Sequence, residues 1–217
     1  MQTHKKDFLS YLYITCMLLA NLLGSKITTL FGVRVSVGIF FVPVLFLVTD
    51  VIGEIYGKKE ATRLVRQSLV MLIITLTMTF ICITLPANST WGNQTAYASV
   101  FGSSLRMTIA SVIAFIFSQF HDVWAFEFLR QKTKGKHLWF RNTATTIVSQ
   151  FIDTTVFMFV AFYAQNDRFT ASFIFSLIIP YWIFKIIFAV LDTPFCYLLV
   201  HWMRKGQSIN EEKSLSE

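Results

Sequence analysis

Residues 35–56 read VSVGIFFVPVLFLVTDVIGEIY, an apolar run whose only charged residues are Asp50 and Glu54. About 20 mostly apolar residues are enough to cross a bilayer as a helix. This stretch therefore predicts a membrane span, and it also places two carboxylates within that span, where lipid disfavours them.

Five more segments have the same character, and the composition agrees with them. The chain is 54% hydrophobic and 14% charged, whereas soluble domains carry about 25% charged residues. We expect one all-α integral membrane domain over residues 1–217, with a polar C-terminal tail at 204–217. Pro180 and Pro194 are expected to kink or break the last helix. The six predicted transmembrane helices cover residues 8–31, 35–56, 68–86, 104–129, 142–164 and 172–203.

The basic residues predict the orientation of these helices. Lysine and arginine concentrate in cytoplasmic loops, and six spans place four basic groups on one side, with both termini in the cytoplasm. Because these residues sit in short loops between apolar spans, the net charge of +7 indicates topology signals and not a nucleic-acid partner. The four groups are Lys5 and Lys6; Lys58, Lys59, Arg63 and Arg66; Arg130, Lys132, Lys134, Lys136 and Arg141; and Arg204 and Lys205.

Six charged residues lie in or at the edges of the predicted spans. Each would cost about 2.5–3.5 kcal/mol at the bilayer centre, so six facing lipid would cost roughly 15–20 kcal/mol, more than the stability of a typical domain. They should therefore face inward, pair with one another or line a hydrated cavity, which suits a polar solute. The six are Lys26, Asp50, Glu54, Arg106, Asp153 and Lys185.

The first polar cluster is the pair Asp50 and Glu54, which share a helical face because they are four residues apart. Two carboxylates at this spacing repel unless a cation or a hydrogen-bond donor lies between them. Lys26, Lys185 or the N–H groups of a bound solute could fill that role. The alternative is a fixed ion-pair network that only specifies helix packing.

The second cluster is Ser149, Gln150 and Asp153, which fall within one turn of the fifth predicted helix. Gln150 offers donors and acceptors, and ionised Asp153 offers acceptors only. Asn21 adds an amide on the first helix. Arg106 opens the fourth helix, where it could clamp a carboxylate or guard the outer mouth. For each residue the alternative is interhelical hydrogen bonding or, for Arg106, snorkelling to the interface.

Catalytic and cofactor motifs are missing from the sequence. No nucleophile elbow, zinc-protease motif or phosphate loop occurs, and the three cysteines lie singly in apolar spans. We therefore expect neither an enzyme nor a bound metal or cofactor.

The order of the polar clusters resembles the queuosine precursor transporter family, formerly described as vitamin uptake transporters. The resemblance runs from Asn21 to about Tyr197, with Thr145-Thr146 where a Ser-Thr pair is expected. The matching pieces are Asn21-x-x-Gly24-x-Lys26, Thr49-Asp50-x-x-x-Glu54-x-Tyr56-Gly57, Phe101-Gly102-x-x-x-Arg106-x-x-x-Ala110-Ser111, Leu138-Trp139-x-Arg141-Asn142, Ser149-Gln150-x-x-Asp153-Thr154, Lys185 and Thr193-Pro194.

The resemblance implies a multi-pass protein of the bacterial inner membrane that imports 7-deazaguanine bases for tRNA modification. The expected substrates are 7-cyano-7-deazaguanine, 7-aminomethyl-7-deazaguanine and, in some members, queuine. It also implies an architecture similar to the substrate-binding subunits of vitamin importers. The predicted substrate-binding residues are Asn21, Lys26, Asp50, Glu54, Arg106, Ser149, Gln150, Asp153 and Lys185.

We expect Asp50 or Asp153 to accept hydrogen bonds from the donor edge of such a base, with Gln150 and Asn21 beside it. Lys26 and Lys185 would neutralise the carboxylates in the empty site. Other readings stay open: a different nucleobase or vitamin carrier, a binding subunit of an ATP-driven importer, an intramembrane enzyme or a structural subunit. The sequence does not decide the oligomeric state, and a homodimer is one alternative.

Overall fold

The computed structural model describes residues 2–30, 32–132, 138–164 and 167–214, in which helices predominate. Lys134 and Lys136 of the predicted basic loop lie outside the described residues, and the side chains of Arg141 and Asn142 are likewise not described. The helices are α1 (Gln2–Leu23), α2 (Val42–Tyr56), α3 (Lys58–Thr84), α4 (Gln94–Lys132), α5 (Leu138–Phe162) and α6 (Ala171–Ser214).

A β-hairpin between α1 and α2 corrects the all-α expectation. Strands β1 (Ile27–Leu30) and β2 (Val33–Ser36) pair antiparallel, with Ile27 opposite Ser36 and Leu30 opposite Val33. The segment is rich in β-branched residues, which favour strands, and Gly32 adopts φ +80° at the turn. The first helix therefore ends at Leu23 and does not continue to residue 31.

A short 3₁₀ helix (Val37–Phe40) then leads into α2, and small residues hold this connection against the end of α1. Ser36 Oγ donates to the Gly24 carbonyl at 2.6 Å and accepts from the Gly38 backbone N–H at 3.1 Å. An added Cβ on Gly24 would lie 2.2 Å from the Ala20 carbonyl oxygen. The backbone path by which the chain leaves the end of α1 thus requires glycine at position 24.

Several helices extend beyond their predicted spans. α3 begins at Lys58 and α4 at Gln94, because polar residues that leave the apolar span can continue the same helix in water. α6 continues through Pro180 and Pro194 as far as Ser214, so neither proline breaks it. Neighbouring helices in membrane proteins often satisfy the backbone groups that proline leaves free.

Three of the described helical segments are long and apolar enough to cross a membrane, namely Val37–Tyr56, Lys59–Thr84 and Gln94–Ser118. Large apolar side chains lie exposed along α3 and α6, including Val70, Ile73, Phe195 and Leu198. Exposed apolar patches this large mark contact with lipid or with a partner. Shorter apolar helical segments cover Ile147–Phe162, Ala171–Ile187 and Pro194–Met203.

The buried apolar side chains form two clusters. One joins the hairpin region to α4, α5 and the first half of α6 through residues such as Ile39, Met107 and Phe162. The other joins α1, α2, α3 and the second half of α6 through residues such as Val51 and Leu64. All six helices also contribute to a cavity, whose polar lining is described next.

Candidate functional site

The cavity has a volume of about 390 Å³, within the range of about 300–1,000 Å³ that is usual for small-molecule sites. Its wall is mostly apolar, with polar groups from five of the helices and from the hairpin. The lining residues are Tyr13, Met17, Ala20, Asn21, Ser36, Gly38, Val42, Leu45, Phe46, Thr49, Val65, Met107, Ser111, Phe115, Ser118, Gln150, Asp153, Phe157, Tyr181 and Lys185.

An ion pair in the cavity wall joins α5 to α6. Lys185 Nζ lies 2.9 Å from Asp153 Oδ2, and the two side chains are 10% and 28% exposed. Lys185 Nζ also lies 5.6 Å from the centre of the Tyr181 ring, one helical turn earlier. A lysine this buried needs a counter-ion, and Asp153 supplies it.

A hydrogen-bonded amide occupies the α1 side of the cavity. Asn21 Nδ2 donates to the Met17 carbonyl at 2.9 Å, and Asn21 Oδ1 accepts from Ser111 Oγ of α4 at 2.5 Å. Both contacts hold the amide plane in one orientation. Thr49 of α2 donates its hydroxyl to its own helix, to the Leu45 carbonyl at 2.9 Å.

Gln150 has an acceptor that no described residue satisfies. Its side-chain Oε1 is buried without a hydrogen-bond partner, although its backbone carbonyl accepts from Thr154 Oγ1 at 2.8 Å. A buried unsatisfied acceptor costs about 1–3 kcal/mol. Because Gln150 faces the cavity beside Asp153, a donor on a bound solute can satisfy this oxygen.

Ser149 lies next to this group but is not part of the cavity wall. Its hydroxyl is 3.0 Å from His121 Nδ1, which links α5 to α4. The predicted cluster of Ser149, Gln150 and Asp153 is therefore split, since adjacent helical residues point about 100° apart.

Three of the predicted charged residues lie outside the cavity. Lys26 is exposed beside the hairpin, and Asp50 and Glu54 are exposed on α2. Asp50 and Glu54 share a face as their spacing predicts, but Thr49 is the residue of that motif that lines the cavity. Asp50 follows it and lies about 100° further round the helix.

Arg106 is also away from the cavity. Its Nε donates to the Val160 carbonyl at 2.8 Å, and another guanidinium nitrogen donates to the Tyr163 carbonyl. The last carbonyls of a helix have no intrahelical donors, so Arg106 satisfies the end of α5 and fastens it to α4.

Sequence reasoning did not identify which aromatic residues line the cavity. Phe46, Phe115, Phe157 and the two tyrosines, Tyr13 and Tyr181, line the cavity. Helical spacing contained a signal for some of them, because Tyr181 is four residues before Lys185 and Phe157 four after Asp153. With 23 phenylalanines in the chain, that spacing did not distinguish lining residues from lipid-facing ones.

Apolar helices that surround an aromatic-walled cavity with an internal ion pair are typical of membrane carriers for polar small molecules. Comparison with known proteins identifies the family within this class. The family model described as "Putative vitamin uptake transporter" matches residues 36–199, and the chain belongs to this family. It is a multi-pass protein of the bacterial inner membrane.

Two relatives extend the match over most of the chain. A "Probable queuosine precursor transporter" of Bacillus subtilis (strain 168) is 33% identical over 180 residues, which are 82% of this chain and 77% of the relative. The "Queuosine precursor transporter" of Escherichia coli (strain K12) is 27% identical over 190 residues, 87% of this chain and 83% of the relative. No solved structure matches the chain significantly.

Proposed function

We propose that this chain imports 7-deazaguanine precursors of the tRNA base queuosine into the cytoplasm. The names of its relatives support this substrate class. The observation that carries the proposal is the cavity beside the Asp153–Lys185 ion pair, where Gln150 holds an unsatisfied acceptor. The expected substrates are 7-cyano-7-deazaguanine and 7-aminomethyl-7-deazaguanine, and queuine is the third candidate because some members of the family are expected to import it.

The polar groups of the cavity complement the edge of such a base. A 7-deazaguanine offers two kinds of N–H donor on its pyrimidine edge, for which the Asp153 carboxylate and Gln150 Oε1 are suitable acceptors. Asn21 and the Gln150 amide can approach the neighbouring carbonyl of the base. A good bidentate contact of this type contributes about 1–3 kcal/mol of discrimination between bases.

The apolar wall suits the faces of the ring. Phe46, Phe115 and Phe157 line the cavity from three different helices. Stacking of a base on an aromatic side chain contributes about 1–3 kcal/mol and depends little on ring substituents. The wall would therefore supply affinity, while Asp153 and Gln150 would supply recognition.

The remaining predicted site residues have weaker support for direct contact. The exposed positions of Lys26, Asp50 and Glu54 and the helix-end contacts of Arg106 favour roles outside the binding step. Between the two candidate aspartates, the cavity favours Asp153 over Asp50 as the residue that reads the base. Ser149 would affect uptake indirectly, through its contact with His121.

Six spans with both termini in the cytoplasm are part of the proposal. Lys5 Nζ donates to the Trp202 carbonyl at 2.7 Å, and Lys6 Nζ lies 2.7 Å from Glu60 Oε2. These contacts bring the start of α1, the start of α3 and the end of α6 to one end of the bundle, which supports an even number of crossings. Reporter fusions at the C-terminus test the orientation, and cross-linking in membranes tests a homodimer.

The test is uptake of labelled 7-deazaguanines into cells that cannot synthesise queuosine and lack a transporter of their own. Queuosine in tRNA is the second readout, and the host should contain no ATP-driven partner. We expect Asp153→Ala to reduce uptake at least about tenfold, as loss of 1–3 kcal/mol implies. Asp50→Ala tests the other aspartate, and Asp167→Ala, in the exposed turn before α6, is the control.

Uptake by the variants is compared at an equal amount of protein in the membrane. Loss with Asp153→Ala alone supports the assignment, whereas loss with Asp50→Ala alone would transfer base reading to Asp50. Normal uptake in both variants contradicts the proposed site. Competition by guanine or riboflavin, but not by the deazaguanines, contradicts the proposed substrate.

A further inference from the structure

The charged groups in the cavity wall indicate that the cavity selects solutes by their charge. The shape of the cavity alone gives no reason for such a selection. Among the described lining residues, Asp153 has the one carboxyl side chain and Lys185 the one amino side chain. They are 2.9 Å apart, so the pair is neutral as a unit. The described wall therefore offers a bound solute no uncompensated negative charge.

Lys185 has little freedom to leave this position. Its side chain is 10% exposed, and its ammonium lies 2.9 Å from the Asp153 carboxylate and 5.6 Å from the centre of the Tyr181 ring. Leaving Asp153 would place an unpaired charge in a mostly apolar wall, which is strongly unfavourable. The pair should therefore persist when a neutral solute binds, and the paired carboxylate can still accept a hydrogen bond from that solute.

We propose that Lys185 is a charge-selectivity residue, which makes the chain prefer neutral 7-deazaguanines over those with a cationic substituent. This inference rests on the proposed function. The 7-cyano base is neutral, whereas the 7-aminomethyl base carries a primary amine, a group whose reference pKa is about 10.4 in lysine. At neutral pH that ammonium would enter a cavity whose described carboxylate is already paired with Lys185.

Two costs oppose the cationic base. An ammonium taken from water needs a counter-ion, and Lys185 occupies the one that the described wall provides. The second cost is repulsion between the incoming ammonium and Lys185, because like charges in a poorly screened site destabilise each other. Gln150 Oε1 can accept a hydrogen bond from the ammonium but cannot neutralise it.

The direct test is competition against labelled 7-cyano-7-deazaguanine in the uptake assay. Unlabelled 7-cyano, 7-aminomethyl and 7-hydroxymethyl bases are compared, since the hydroxymethyl base is a neutral near-match in size for the aminomethyl base. We expect the aminomethyl base to compete at least about tenfold more weakly than the hydroxymethyl base, which corresponds to about 1.4 kcal/mol. Weak competition by both would indicate a steric limit and contradict charge selection.

Variants of the Asp153–Lys185 pair distinguish selection by charge from selection by shape. Lys185→Met leaves Asp153 unpaired and should shift the preference toward the aminomethyl base by about tenfold or more. Lys185→Arg retains the charge and should retain the preference for neutral bases. Lys59→Met removes an exposed lysine outside the cavity and is the control.

The double variant Lys185→Met with Asp153→Asn protects the test against misfolding of the single variant, because it leaves no unpaired charge. It should return the preference toward the neutral bases. Equal or stronger competition by the aminomethyl base in the unchanged protein overturns the inference, as does an unchanged preference in Lys185→Met. Failure of every deazaguanine to be taken up would instead overturn the proposed function.

Discussion

Replacement of Gly24 by alanine should destabilise the protein, because an added methyl group at this position would meet the backbone of α1. The added Cβ would lie 2.2 Å from the Ala20 carbonyl oxygen and 2.9 Å from the Met107 methyl group. Ordinary contact begins near 3.4 Å. Met107 is flexible and can move, but the Ala20 carbonyl belongs to the backbone of α1, so the chain around Gly24 must shift.

The magnitude follows from two contributions. Overpacking of this kind costs about 1–3 kcal/mol. The shift also strains the 2.6 Å hydrogen bond from Ser36 Oγ to the Gly24 carbonyl, which contributes about 0.5–1.5 kcal/mol. A total of about 2–4 kcal/mol lowers the midpoint of thermal unfolding by roughly 5–15 °C in a chain of this size.

The assay is thermal unfolding of the purified protein in one detergent, followed by tryptophan fluorescence. Membrane proteins often unfold irreversibly, so all variants are heated at one scan rate and compared as apparent midpoints. Gly102→Ala is the matched control, because Gly102 lies within α4 and an added Cβ would meet no atom within 4 Å. That control should be neutral or stabilising by up to about 1 kcal/mol.

A midpoint for Gly24→Ala equal to that of the unchanged protein would refute the reasoning. It would mean that the backbone after α1 can move away from the Ala20 carbonyl without loss of stability. Because Asn21 is on the last turn of the same helix and lines the cavity, the displacement should also lower uptake, even at equal amounts in the membrane.

Two other changes test the contacts of α4. Ser111→Ala removes the donor to Asn21 Oδ1 and should lower uptake about two- to tenfold without changing the amount in the membrane; uptake equal to the unchanged protein would show that this contact does not orient the amide. Arg106→Gln removes the guanidinium that bonds the Val160 and Tyr163 carbonyls, and its apparent midpoint should fall by about 3–10 °C. An unchanged midpoint would mean that water satisfies the end of α5 equally well.

The sequence by itself determined that this is a helical membrane protein with polar residues inside. Length and apolar composition define a span whatever surrounds it, because lipid requires each crossing segment to satisfy its own backbone hydrogen bonds. The spacing of Gln150 and Asp153 on one helical face was equally local, and both residues line the cavity. The order of the polar motifs was enough to indicate the family.

Tertiary structure alone decided which polar residues meet. Lys185 pairs with Asp153 although 32 residues separate them, while Asp50, in the most conspicuous motif, is exposed. The rotation of each helix about its axis sets these contacts, and that rotation depends on packing against all its neighbours. The hairpin was not predicted for a related reason. Its short apolar segment resembles the end of a membrane span, and only the pairing of β1 with β2 distinguishes the two.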